Sequence, residues 1–107
     1  MRLEYRQTGA DMNAYIGMAA SLAAGLWGIE NEVEPPEPCA GNGYSADAPL
    51  LPRSLKEAVA LLKGSKRAKQ ILGEEFVDHF VRTREWEWRQ YQDAVTDWEM
   101  KRYFEII

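Results

Sequence analysis

Residues 2–30 read RLEYRQTGADMNAYIGMAASLAAGLWGIE, and the architecture turns on this stretch. Leu3 and Tyr5 alternate with Arg2, Glu4 and Arg6, and a period of two predicts a short strand over residues 2–7. Thr8, Gly9, Ala10 and Asp11 predict a turn, followed by a long helix from about Met12 or Asn13 to Glu30. Residues 13–29 carry no charge and are rich in alanine, with glycine at 17, 25 and 28. That run is short for a membrane span and is interrupted by glycine. Glu4 and Asp11 stand ahead of it, where a secretory leader needs a positive, acid-free start. A close-packed core helix covered on most sides is the expectation. A single strand makes no sheet, so the opening strand needs partners from outside this sequence.

Further along, prolines 35, 36, 38, 49 and 52 with Gly41 and Gly43 mark residues 34–52 as an extended loop. Loops of this length are functional or wrap over a partner. Ser54 with Glu57 three residues on predicts a capping box, and the helix it opens carries Leu55, Ala58, Val59, Leu61 and Leu62 up to a stop at Gly64. A short helix over residues 65–72 ends at Gly73. Residues 74–94 form a long amphipathic helix, with Glu74 and Glu75 at its positive end and Phe76, Val77, Phe80, Val81, Trp88 and Tyr91 on one broad face. Thr96 and Glu99 predict a second capping box and a last helix bearing Trp98, Tyr103, Phe104 and Ile107. The expected fold class is mainly α: one N-terminal strand, then four to five helices with a long Pro/Gly loop.

The 107 residues suffice for one domain. A hydrophobic fraction of 46% and four tryptophans argue against disorder, while a net charge of −4 without a basic block argues against nucleic acid and anionic membranes. The lone cysteine, Cys39, rules out an internal disulfide and a cysteine metal site, and fits a reduced, cytoplasmic setting. The single histidine, His79, lies far from it in sequence and has no second ligand at helical spacing, so it reads as structural. Trp86, Trp88 and Tyr91 could stack on bases, but at helical spacing beside Phe80 they read as core or subunit-contact surface.

The chemistry sits in the opening triplet. Alternation puts Arg2, Glu4 and Arg6 on one strand face, about 7 Å apart. A carboxylate between two guanidinium groups suits a metal–phosphate complex: the carboxylate ligates a hard cation and the arginines grip oxygens bidentately. The plainer reading is a solvated face of mutually cancelling ion pairs.

Context favours the first. The pattern Arg2-Leu3-Glu4-Tyr5-Arg6, a turn, then Asn13-Ala14-Tyr15 opening an Ala-rich helix resembles a segment of glutamine synthetases. So do Ala23-Ala24-Gly25-Leu26-Trp27-Gly28-Ile29-Glu30-Asn31, Pro35-Pro36, Gly41-Asn42-Gly43-Tyr44, Leu51-Pro52-Arg53-Ser54-Leu55 and Val95-Thr96-Asp97-Trp98-Glu99, all in order. The resemblance covers essentially the whole chain, and residues 1–107 read as the C-terminal segment of such a catalytic domain, whose parent is α+β. It implies that Glu4 helps hold one of two Mg2+ or Mn2+ ions, Arg2 lies on the nucleotide side, and Arg6 faces substrate glutamate and the transferring γ-phosphoryl group. The implied reaction is ATP-dependent: the γ-carboxylate of glutamate is phosphorylated, then ammonia or an amine displaces phosphate. Gln7-Thr8-Gly9 and Asn13-Ala14 depart from the commoner forms, which carry proline, and are more typical of relatives ligating other amines. Tyr44 falls near a tyrosine that some members adenylylate, but its flanks differ, and a turn tyrosine packed on its loop is expected. The family's remaining metal ligands, its flexible loop and its other strands belong upstream of this segment. The expectations are therefore an isolated chain without ligase activity or tight metal binding, and a homo-oligomer built on its uncovered surfaces; a non-catalytic helical self-association protein is the alternative.

Overall fold

The computed structural model describes residues 4–104 and 106. Its elements in order are α1 (Ala14–Glu30), a 3-10 turn (Gly43–Ser45), α2 (Leu55–Gly64), α3 (Lys66–Leu72), α4 (Glu74–Asp93) and α5 (Trp98–Tyr103). The mainly helical class is as the sequence predicts.

The opening strand is a correction. Residues 4–7 form no regular structure, no strand occurs among the described residues, and Arg2 and Leu3 lie outside them. The reason is non-local: a ladder needs a second strand, and none of the described segments offers one.

Local chemistry sets the helix ends. Asn13 Oδ1 accepts from the backbone N–H groups of Tyr15 (3.0 Å) and Ile16 (3.2 Å) to open α1. Ser54 Oγ accepts from the N–H of Glu57 at 3.2 Å, while Glu57 Oε2 reaches back past the cap to the N–H of Arg53 at 2.8 Å. α2 ends at Gly64, its last residue, and Ser65 serves as C-cap of α2 and N-cap of α3, its Oγ accepting from Ala68 N–H at 3.1 Å. Gly73, at φ 88°, is the reversal between α3 and α4, a backbone setting that glycine adopts without steric penalty. The second capping box does not close: α5 starts at Trp98 with Asp97 as N-cap and no side-chain cap bond, and the Thr96 hydroxyl donates to Glu99 Oε2 at 2.8 Å instead.

The core is small and lies where α2 and α3 pack on α4. Val59, Val77 and Val81 are buried, Val77 completely, and Leu62, Ala68 and Leu72 close around them. Lys69 of α3 clamps α4 at the rim, reaching Asp78 Oδ1 at 3.0 Å and Glu74 Oε1 at 3.2 Å. These hydrogen bonds, Asp78 foremost, hold its ammonium above its usual pKa. The broad face assigned to α4 splits: Val77 and Val81 enter the core, whereas Phe76 and Tyr91 are exposed.

α1 departs most from expectation. It has no buried residue, and its closest partner is α3, where the Arg67 guanidinium lies 4.3 Å from the centre of the Trp27 ring. Tyr15, Met18, Leu22, Leu26 and Ile29 all face solvent. The radius of gyration, 18.2 Å, exceeds the about 13 Å of a close-packed chain this long. No helix is long and apolar enough to cross a membrane, among the described residues.

Candidate functional site

Of the basic–acidic–basic triplet, Glu4 and Arg6 are described and Arg2 lies outside the described residues. Arg6 Nε donates to Glu4 Oε1, so the two side chains that alternation would place side by side do meet. Both are solvated: the side chains of Arg6 and Glu4 are 81% and 45% exposed. Water screens such a pair strongly, and an exposed ion pair contributes at most about 1 kcal/mol. The arrangement can present a carboxylate and a planar donor fork to an anionic or metal-bearing ligand. Among the described residues, these exposures leave both groups open to water.

Among the described residues no group of three or more His, Cys, Asp and Glu converges. A hard cation takes six or more oxygen ligands, and Glu4 would supply one or two of them while already engaged by Arg6. The described residues of this chain therefore do not by themselves fit a resident Mg2+ or Mn2+.

The other sequence candidates separate cleanly. His79 is exposed on α4 in a shallow surface groove with Glu75, Asp78 and Arg82. Cys39 is exposed in the proline-rich loop. Tyr44 sits on the 3-10 turn, its N–H held by Asn42 Oδ1 at 3.1 Å, but its ring is fully exposed rather than packed on the loop as expected. Trp88 is half-buried and stacks on Tyr91, ring centres 5.5 Å apart, while Trp86 is exposed.

One feature escaped sequence reasoning. A groove of about 530 Å³ runs between α2 and α4, lined by Lys56, Val59, Ala60, Lys63, Glu85, Trp88 and Arg89. Lys63 Nζ reaches Glu85 Oε1 at 2.8 Å, and that ammonium holds the Glu85 carboxyl below its ordinary value. Lys56 and Lys63 stand seven residues apart, two helical turns, which is the signal that would have put them on one face.

Comparison with known proteins places the chain. The family described as "Glutamine synthetase, catalytic domain" matches residues 1–103. Type-1 glutamine synthetase 2 of Dictyostelium discoideum is 53% identical over 99% of this chain and 21% of its own length. Gamma-glutamylethanolamide synthetase GlnA4 of Streptomyces coelicolor is 45% identical over 98% of this chain and 23% of its own length. A glutamate–isopropylamine ligase from a Pseudomonas species is 42% identical, covering 99% of this chain and 24% of its own length. The chain thus spans between a fifth and a quarter of the length of these relatives. With a family match over nearly its full length, this chain belongs to the glutamine synthetase catalytic-domain family.

Proposed function

We propose that this chain is part of an ATP-dependent ligase that joins the γ-carboxylate of glutamate to ammonia or another amine, and that the 107 residues alone do not turn over. One observation carries the reading: the opening Arg-x-Glu-x-Arg pattern lies within a family match spanning residues 1–103. In the assembled site Glu4 supplies one carboxylate to a Mg2+ or Mn2+ ion, Arg2 binds on the nucleotide side, and Arg6 pairs with glutamate and the γ-phosphoryl oxygens. Developing negative charge on a transferring phosphoryl group is stabilised by such fixed cations. The exposure of Glu4 and Arg6 supports the claim of inactivity, because a reacting centre needs fixed donors in a water-poor site. The acceptor class is ammonia or an amine, since relatives named as a glutamine synthetase, a gamma-glutamylethanolamide synthetase and a glutamate–isopropylamine ligase all align.

The test has two arms. The isolated chain, given ATP, glutamate, Mg2+ and ammonia, ethanolamine or isopropylamine, releases no ADP above background. A chimera in which this chain replaces the matching part of the Dictyostelium relative is active. In that chimera Glu4→Ala lowers kcat at least about a hundredfold, and Arg6→Ala lowers it by about 10²–10³. A folded, inactive chimera refutes the assignment, and turnover by the lone chain refutes the incompleteness.

Self-association is the second reading, favoured by the solvent-facing apolar side chains of α1. Light scattering after gel filtration tests it. A clean monomer at high concentration retires it.

A further inference from the structure

The proline-rich loop and the groove between α2 and α4 are both unclaimed by the ligase reading, and their chemistries match. Residues 33–38 are exposed and irregular, and among the described residues neither Glu34 nor Glu37 has an ion-pair partner. Proline fixes φ at 35, 36 and 38, and the residue before each proline is driven to extended or polyproline II backbone, which covers Glu34, Pro35 and Glu37. A polyproline II helix repeats every three residues. Glu34 and Glu37 therefore share one edge, about 9 Å apart, and Pro35 and Pro38 share the next.

The groove presents the complement. Lys56 and Lys63 line it from α2, about 10 Å apart along the helix, and Arg89 faces them from α4. Three cations thus meet one carboxylate, Glu85, which is already bridged to Lys63. Trp88 forms part of its wall, with Tyr91 stacked against it. Aromatic walls with flanking charge are how proline-rich segments are held, since a preformed polyproline II segment loses little entropy on docking.

We propose that the groove between α2 and α4 binds the acidic proline-rich segment, residues 33–38, of a second copy of this chain. Glu34 and Glu37 pair with the cations of the groove, and the rings of Pro35 and Pro38 pack on Trp88. The occupant is a second copy because every copy carries both halves of the contact, the acidic edge of Glu34 and Glu37 and the cations Lys56, Lys63 and Arg89. In a two-fold pair each copy gives its loop and receives its partner's. This inference does not depend on the ligase assignment.

The test uses two charge-reversed full-length chains. E34K/E37K alters the segment and moves the net charge from −4 to zero. K56E/R89E alters the groove, doubles the net negative charge and leaves the Lys63–Glu85 bridge in place. Sedimentation of one labelled variant with itself or with the other gives the dissociation constants. The mixed pair restores both contacts, so it associates at least about tenfold more tightly than E34K/E37K with itself, and added salt removes the difference. Net charge alone predicts no gain, because one member of the mixed pair is neutral. Association through α1 is common to every pairing and cancels. Circular dichroism of each variant establishes that it is folded, and a variant that is not gives way to K56Q/R89Q, which must also lose affinity for the native segment. A mixed pair no tighter than the neutral variant with itself overturns the proposal.

Discussion

α1 and α4 are of similar length, 17 and 20 residues, yet they sit in opposite relations to the chain that contains them. α4 is dense with charge, and still it holds Val77 and Val81, two of the three buried core residues among those described. α1 has no charged residue before its last position, Glu30, and buries nothing. Apolar content does not determine burial; pattern does. A helix with one apolar stripe can be satisfied by its neighbours in sequence. A helix apolar on every side needs cover on every side, and two short helices and a loop do not supply it.

The glycines make the same point. Within α1, Gly25 and Gly28 each lower helix stability by about 1 kcal/mol relative to alanine, yet a β-carbon at either would meet nothing within 4 Å. Nothing in the lone chain needs them small. Glycine lets a second backbone approach closely, which is the use such positions would have if α1 were covered by another polypeptide.

Four experiments break or sharpen the contrast. Val77→Asp has the largest effect: an unpaired carboxylate in the fully buried position removes about 4 kcal/mol or more, and the cooperative urea transition disappears. A transition that survives intact would show that the junction of α2, α3 and α4 is not the folding core. Gly25→Ala with Gly28→Ala comes next. In the lone chain it strengthens α1 by about 1 kcal/mol per site, seen as increased helical circular dichroism, whereas in the active chimera the same change lowers activity. Ser65→Ala removes the cap shared by α2 and α3 and costs about 1 kcal/mol in the urea midpoint, with no change in α1. The smallest effect is a titration. The Lys63 bridge lowers the Glu85 pKa in the folded chain, so its contribution is present above the ordinary carboxylate value of 4.5 and is lost as pH falls through the folded value. In Lys63→Gln the Glu85 midpoint, read by carboxyl-carbon NMR, rises toward 4.5.

What was legible in the sequence follows the range of the forces involved. Asn13, Ser54, Ser65 and Gly73 mark helix ends through bonds to residues two to four positions away, and the helices they bound were predicted within a residue or two. Alternation predicts an opening strand, yet its described residues 4–7 form none, because alternation reports a preference while a ladder requires a second strand. At the last helix the Ser/Thr-x-x-Glu pattern was present but the geometry was not: Thr96 spends its hydroxyl proton on Glu99 and Asp97 takes the cap position. For the candidate site, the neighbourhood of Glu4 and Arg6 was readable from their two-residue spacing. The groove of Lys56, Lys63 and Arg89 was not, since it exists only once α2 lies across α4.

Hydrogen exchange on the dilute, monomeric chain, read by mass spectrometry segment by segment, addresses the contrast most directly. The amides of α2, α3 and α4 should be protected together, to the free energy of global unfolding, while residues 4–30 exchange at nearly the rate of an unstructured peptide. Equal protection of α1 and α4 in the monomer would contradict the account, because α1 would then be satisfied without cover from any other polypeptide.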